Sequence, residues 1–243
     1  VAISLHIRAL MGYGQVSLHY GKSGNIAPLL GEGGLTMART VRVKICGITS
    51  VADAQVVCDA GAQALGIVFY PPSPRYVADL AVARDIAQAA GPFVSVVGLF
   101  VNPDPKYIEQ VLREVPLNLL QFHGDETPET CERYARPYIK ALRMKPETDI
   151  AGLANQYVGA RGILLDAYRK GVPGGTGETF DWNAIPRDIV KPLILAGGLA
   201  PANVADAIAS VAPWAVDVSG GVEASPGKKD ESLIKQFMAN VAN

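Results

Sequence analysis

Two side chains in this sequence are placed to move protons. Cys46 lies in Lys44-Ile45-Cys46-Gly47-Ile48-Thr49, at the end of a run that alternates with a period of two. Arg42, Lys44 and Cys46 share one face of that strand, and Val41, Val43 and Ile45 the other. Gly47 breaks the run, and Thr49 or Ser50 can cap a helix beginning near Val51. A thiol at this point is either a buried small hydrophobe or, as its thiolate, a base. Lys44, on the same face, is expected to favour the ionised form. Asp166 follows Ile163-Leu164-Leu165, at the mouth of an apolar strand. Loss of water there favours the protonated carboxyl, which suits a general acid, although a simple capping role is open.

Paired glycines suggest the ligand. Gly197-Gly198 precede Pro201, expected in the first turn of a helix, and Ser219-Gly220-Gly221 follow another apolar strand. Glycine lets backbone N–H groups approach an anion, so both pairs read as tight turns or as a phosphate grip. Arg75, in Ser73-Pro74-Arg75-Tyr76, sits on a proline-stiffened loop and is either a solvated arginine or a fork for a carboxylate. Gln121, His123 and Asp217 also fall at strand ends. Cys58 and Cys131 fall within helical stretches and read as core filler.

The elements that must position these groups alternate along the chain. Strands are expected at 41–45, 64–69, 93–101, 117–122, 138–142, 162–165, 193–195 and 214–218. Helices follow at 50–60, 79–90, 104–114, 127–134, 149–156, 201–210 and 229–240, with a short helical turn near Trp182. Near-continuous apolar strands belong to parallel sheets covered by helices. Eight such units fit a closed (β/α)8 barrel better than an open sheet. On that fold every polar strand end falls on one rim, and loops seven and eight are the usual phosphate site. The 14-residue loop 167–180, rich in glycine, is expected to be a lid.

The barrel is expected to span 39–243 as a single catalytic domain. Residues 1–38, with Glu32 as their one acidic residue, read as a poorly ordered, dispensable extension, and Met37 as a possible natural start. A net charge of −1 offers no global field for nucleic acid or an anionic membrane, so neither is an expected partner. Three cysteines argue against a disulfide framework and for a reducing, cytoplasmic setting. No apolar run approaches the roughly 18 residues of a membrane span. No His/Asp/Glu set has metal-ligand spacing and no dinucleotide fingerprint follows the first strand, so no metal or cofactor is expected. One thiol, one carboxylate and a phosphate grip point to cofactor-free proton transfer on a sugar phosphate.

The motifs also occur together, and in order, in one family. Lys44-Ile45-Cys46-Gly47-Ile48-Thr49, Ser73-Pro74-Arg75-Tyr76, Leu120-Gln121-Phe122-His123-Gly124, Leu165-Asp166, Gly174-Gly175-Thr176-Gly177 and Phe180-Asp181-Trp182 resemble phosphoribosylanthranilate isomerase. So do Leu195-Ala196-Gly197-Gly198-Leu199 and Asp217-Val218-Ser219-Gly220-Gly221-Val222-Glu223. The resemblance implies a (β/α)8 isomerase of tryptophan biosynthesis, a monomer or homodimer. It would carry out an Amadori rearrangement of N-(5-phosphoribosyl)anthranilate without metal or cofactor. It further implies Cys46 as base and Asp166 as acid. Arg75 would hold the anthranilate carboxylate, with Lys44, Gln121, His123 and Asp217 also on the substrate side. Gly197, Gly198, Ser219, Gly220 and Gly221 would hold the phosphate. The eighth loop often reads Ser-Ser-Gly in the family and here reads Ser-Gly-Gly, with one hydroxyl fewer.

The rival readings are a metal-dependent pentose-phosphate epimerase, the histidine-pathway isomerase and an inactive barrel that only binds. His123 alone cannot build the epimerase metal site, and the histidine-pathway enzyme carries aspartate where this chain has Cys46.

Overall fold

A computed structural model describes residues 40–145, 148–167 and 181–242. The extension at 1–38 and nearly all of the expected lid lie outside the described residues.

Eight parallel strands close into a barrel in sequence order: β1 (Arg42–Cys46), β2 (Ala64–Val68), β3 (Ser95–Phe100), β4 (Leu119–Phe122), β5 (Tyr138–Met144), β6 (Ile163–Ala167), β7 (Leu193–Leu195) and β8 (Ala215–Val218). Helices α1 (Val51–Asp59), α2 (Leu80–Ala89), α3 (Pro105–Glu114), α4 (Pro128–Glu132), α5 (Ile150–Gln156) and α6 (Val204–Val211) return the chain between strands. Trp182–Ala184 form a single 3-10 turn before β7. A short hairpin of β9 (Glu223–Ser225) and β10 (Lys228–Lys229) follows β8, and α7 (Glu231–Ala242) is the last helix.

The helix starts are where their caps put them. Ser50 Oγ accepts from Asp53 N at 3.1 Å, Asp79 Oδ1 from Ala81 N at 2.8 Å, and Asp104 Oδ1 from Lys106 N at 2.7 Å. Each satisfies a first-turn amide that the helix itself leaves open. The helix expected from Pro201 instead begins at Val204. Asn203 is occupied otherwise: its Oδ1 accepts from Ala200 N and its Nδ2 donates to Gly198 O. That side chain braces the turn after β7 rather than capping α6.

Strand alternation creates two cores. Outward positions such as Val43, Ile45, Leu65, Ile67, Phe122, Leu165 and Val216 pack against the helices. Inward positions Ile139, Ala141, Leu164, Ile194 and Ala215 fill the barrel. Two residues further along the same strands, the inward positions turn polar, Leu164 giving way to Asp166 and Ala215 to Asp217. The lower barrel is therefore packed apolar material and the upper rim is a polar bowl.

The third strand begins at Ser95, not Phe93, which is 95% exposed. An apolar run extends the expectation past the point where a neighbour is present to pair it. The hairpin β9–β10 was not expected, because Glu223 to Lys229 shows no apolar alternation.

Candidate active site

Cys46, Arg75, Gln121, His123, Asp166, Gly197, Gly198, Asp217, Ser219, Gly220 and Gly221 line one cavity at the carboxyl ends of the strands. Tyr70 and Leu99 add apolar wall. Of the expected site residues only Lys44 is absent from that lining; it lies one inward position deeper.

Strand pairing sets the first contact. Closing β8 on β1 makes Lys44 and Asp217 Cα partners, and Lys44 Nζ donates to Asp217 Oδ1 at 2.9 Å. Both side chains are buried. Burial alone would lower the Lys44 pKa, but the Asp217 carboxylate and the neighbouring thiol hold it above its ordinary value. Burial pushes the Cys46 thiol up; Lys44 opposes this and Asp217 reinforces it. Asp217 is likewise raised by burial, against the pull of Lys44. Lys44 thus faces two acids and is shared between them. The expected activation of the thiol by Lys44 is therefore present but outweighed by burial.

Gly66 of β2 leaves the thiol its space. A Cβ at that position would stand 2.7 Å from Cys46 Sγ and 3.2 Å from Lys44 Cε.

A second line of groups crosses β4 to β6. Gln121 Nε2 lies 2.9 Å from His123 Nδ1, and His123 Nε2 lies 3.1 Å from Asp166 Oδ2. Asp166 Oδ1 accepts from Ala167 N at 2.9 Å. Gln121 Oε1 is buried without a partner. As placed, the amide donates to Nδ1, so Nε2–H donates to the Asp166 carboxylate. Turning the amide over puts Oε1 on Nδ1–H and lets Nε2 accept from a protonated Asp166. The line accommodates the carboxyl group with or without its proton. Gln121 and His123 thus hold the Asp166 carboxyl group in place, a contact that their place at strand ends did not disclose.

The paired glycines line the cavity from the loops after β7 and β8. Gly197 and Gly198 have φ of +84° and +65°, a region closed to most side chains. A Cβ on Gly221 would overlap Leu199 O, so loops seven and eight pack directly on one another. Gly220 and Gly221 open a 3-10 turn and their N–H groups are not used by it. Ser219 is different: its hydroxyl donates to Cys46 O at 3.0 Å and ties the loop to β1.

Arg75 reaches the cavity with its fork partly engaged. Nε and Nη2 each donate to Glu223 at 2.7 Å, and Glu223 also accepts from Lys229 Nζ at 2.8 Å. Glu223 is drawn below the usual carboxylate range by these two cations in spite of its burial. Glu223 as a partner for Arg75, and Lys229, escaped the sequence reading. The signal was a charged pair flanking a short turn, which resembles ordinary surface.

A buried pair underlies His123. Lys140 Nζ donates to Glu126 Oε2 and to Gly124 O, both at 2.7 Å, and stands 5.4 Å from the Tyr157 ring centre. Glu126 in turn accepts from Asn102 N and Gly124 N. These bonds brace the loops after β3 and β4. Among the described residues, no group of three His, Cys, Asp or Glu could hold a metal ion. No described helix is long and apolar enough to cross a membrane.

Residues 43–240 match the family described as N-(5'phosphoribosyl)anthranilate (PRA) isomerase. The N-(5'-phosphoribosyl)anthranilate isomerase of Pseudomonas syringae pv. syringae is 60% identical over 201 residues, 83% of this chain and 97% of that protein. The crystal structure of the Thermotoga maritima phosphoribosyl anthranilate isomerase superposes with a TM-score of 0.76 at 47% identity, over 83% of this chain and 98% of that one. A further structure holds such an isomerase in complex with reduced 1-(o-carboxyphenylamino)-1-deoxyribulose 5-phosphate; its TM-score is 0.73 at 45% identity, over 83% and 98% of the two chains. The chain belongs to the phosphoribosylanthranilate isomerase family.

Proposed function

We infer that this chain converts N-(5-phosphoribosyl)anthranilate to the carboxyphenylamino-deoxyribulose phosphate, with Asp166 as general acid and Cys46 as general base. The observation that carries the assignment is that the two groups line one cavity together with the paired glycine loops. Asp166 gives its proton to the furanose ring oxygen as the C1–O bond breaks, leaving a protonated Schiff base to the anthranilate nitrogen. The resulting carboxylate is met by His123 Nε2. Cys46 then takes the proton from the sugar's second carbon, and the electron pair moves to form the enol-amine and neutralise the nitrogen. Tautomerisation of the enol-amine yields the ketone.

Burial, which raises the Cys46 pKa, fits this order. A thiolate costs free energy in its buried place beside Asp217, and the protonated Schiff base adds a second positive charge to that of Lys44. Ring opening therefore precedes and favours deprotonation. Asp217 faces the same positive charge. The glycine-loop amides bind the phosphate, and Arg75 takes the anthranilate carboxylate.

The test is consumption of phosphoribosylanthranilate, followed by loss of its fluorescence, in the presence of a chelator. Cys46→Ala and Asp166→Asn should each lower kcat by roughly two orders of magnitude or more, the scale of acid–base catalysis, with inhibition by inorganic phosphate retained. Full turnover by either variant, or abolition of turnover by the chelator, refutes the mechanism.

A further inference from the structure

A guanidinium has two edges that can meet a carboxylate, and in Arg75 one of them is already in use. Nε and Nη2 form the edge bound by Glu223, with both bonds at 2.7 Å. The other edge is Nη1 with the second hydrogen of Nη2, and Nη1 has no partner among the described residues. Arg75 lines the cavity.

The carboxylate that holds it is itself fixed. Glu223 and Lys229 are 4% and 1% exposed at their side chains, and Lys229 Nζ also donates to Ser219 O at 3.1 Å. The hairpin carrying both is tied to the loop after β1, where Thr49 Oγ1 donates to Gly227 O. Gly47, at φ +78°, passes so close to Arg75 that a Cβ there would overlap Cδ. The arginine stem is thus confined on one side by backbone and on the other by Glu223. The charges of Arg75, Glu223 and Lys229 sum to +1, so the group still attracts an anion.

We propose that Glu223 is a positioning residue. It grips the Nε–Nη2 edge of Arg75 and so presents the Nη1–Nη2 edge to the substrate carboxylate, with Lys229 balancing the added charge. This rests on the reading that Arg75 binds that carboxylate. Its physical gain is preorganisation: a long side chain that would lose rotamer freedom on binding has already lost it.

The test uses the full chain and steady-state kinetics with phosphoribosylanthranilate, with anthranilate as a carboxylate probe and inorganic phosphate as a probe of the glycine loops. Glu223→Gln should raise KM by roughly tenfold or more, the scale of one charge-assisted hydrogen bond, with a much smaller change in kcat. Inhibition by anthranilate should weaken in parallel and inhibition by phosphate should not. Glu223→Asp, which keeps the charge, should recover part of the loss and serves if the glutamine variant fails to fold. Arg75→Lys should raise KM at least as far, and adding Glu223→Gln to it should raise KM no further. A raised KM in Arg75→Lys with wild-type KM in Glu223→Gln overturns the positioning role and leaves the Arg75 reading intact. Wild-type KM in both removes the Arg75 reading itself. Phosphate inhibition that weakens as much as KM rises would place the effect in Lys229 and the phosphate loop, and would also overturn the proposal.

Discussion

Replacing either member of the Lys140–Glu126 pair removes one charge from a site where both side chains are 2% exposed. Breaking a buried pair from one side costs about 3–5 kcal/mol, because the remaining charge cannot recover its hydration. The structure ranks the two variants within that range. After Lys140→Met, Glu126 still accepts from Asn102 N at 2.7 Å and Gly124 N at 2.9 Å, which places the loss near 3 kcal/mol. After Glu126→Gln, the ammonium keeps Gly124 O and the Tyr157 ring but meets no negative charge, so the loss should approach about 4 kcal/mol. For a domain of this size, these losses lower Tm by roughly 6–16 °C. The double variant should cost less than the sum by about 2 kcal/mol, since no stranded charge remains. Urea unfolding read by circular dichroism and by fluorescence of Trp182 and Trp214 measures this, with an unchanged slope as the check that only stability moved. A loss below about 1 kcal/mol for both single variants, or strict additivity, would refute the reasoning. Because Glu126 holds the Gly124 amide next to His123, Glu126→Gln should also lower kcat.

Three further outcomes are expected. Alkylation of Cys46 by iodoacetamide in the empty enzyme should rise with pH along a curve whose midpoint lies above the ordinary thiol value of 9.0. Lys44→Met should move that midpoint further up and Asp217→Asn should move it down, since the first removes an opposing cation and the second an adjacent anion; movement in the reverse directions would disprove the electrostatic account. Gly66→Ala should leave a folded barrel with a displaced thiol, seen as a fall in kcat with little loss of helical signal; wild-type kcat would show the thiol has room to spare. His123→Ala should lower kcat, because Asp166 Oδ2 loses its partner at 3.1 Å; wild-type kcat would show that turnover does not need the contact.

Much of the fold was legible because it is written in local order. The apolar runs, the cap at Ser50, and the alternation through Lys44 and Cys46 each depend on residues a few positions apart. The boundaries at Phe93 and Pro201 were not legible, since strand length depends on a paired neighbour and Asn203 chose the turn over the helix. At the site, Cys46, Asp166, Arg75 and the glycine pairs stood out by type and place. Glu223, Lys229 and the Lys140–Glu126 pair did not, because a charged residue in a strand or short turn looks the same whether its partner is water or another buried side chain.

By itself the sequence determined eight βα units, the direction in which each strand-end side chain points, and a glycine backbone able to meet an anion. Periodicity can do that much, because it relates a side chain to its own strand. Only the tertiary structure decided which charges meet. Lys44 and Asp217 are 173 residues apart, Arg75 and Glu223 are 148, and His123 and Asp166 are 43. Closure of β8 onto β1 put Asp217 beside both the lysine and the thiol, so the state of Cys46 depends on burial and on barrel register as well as on its own strand.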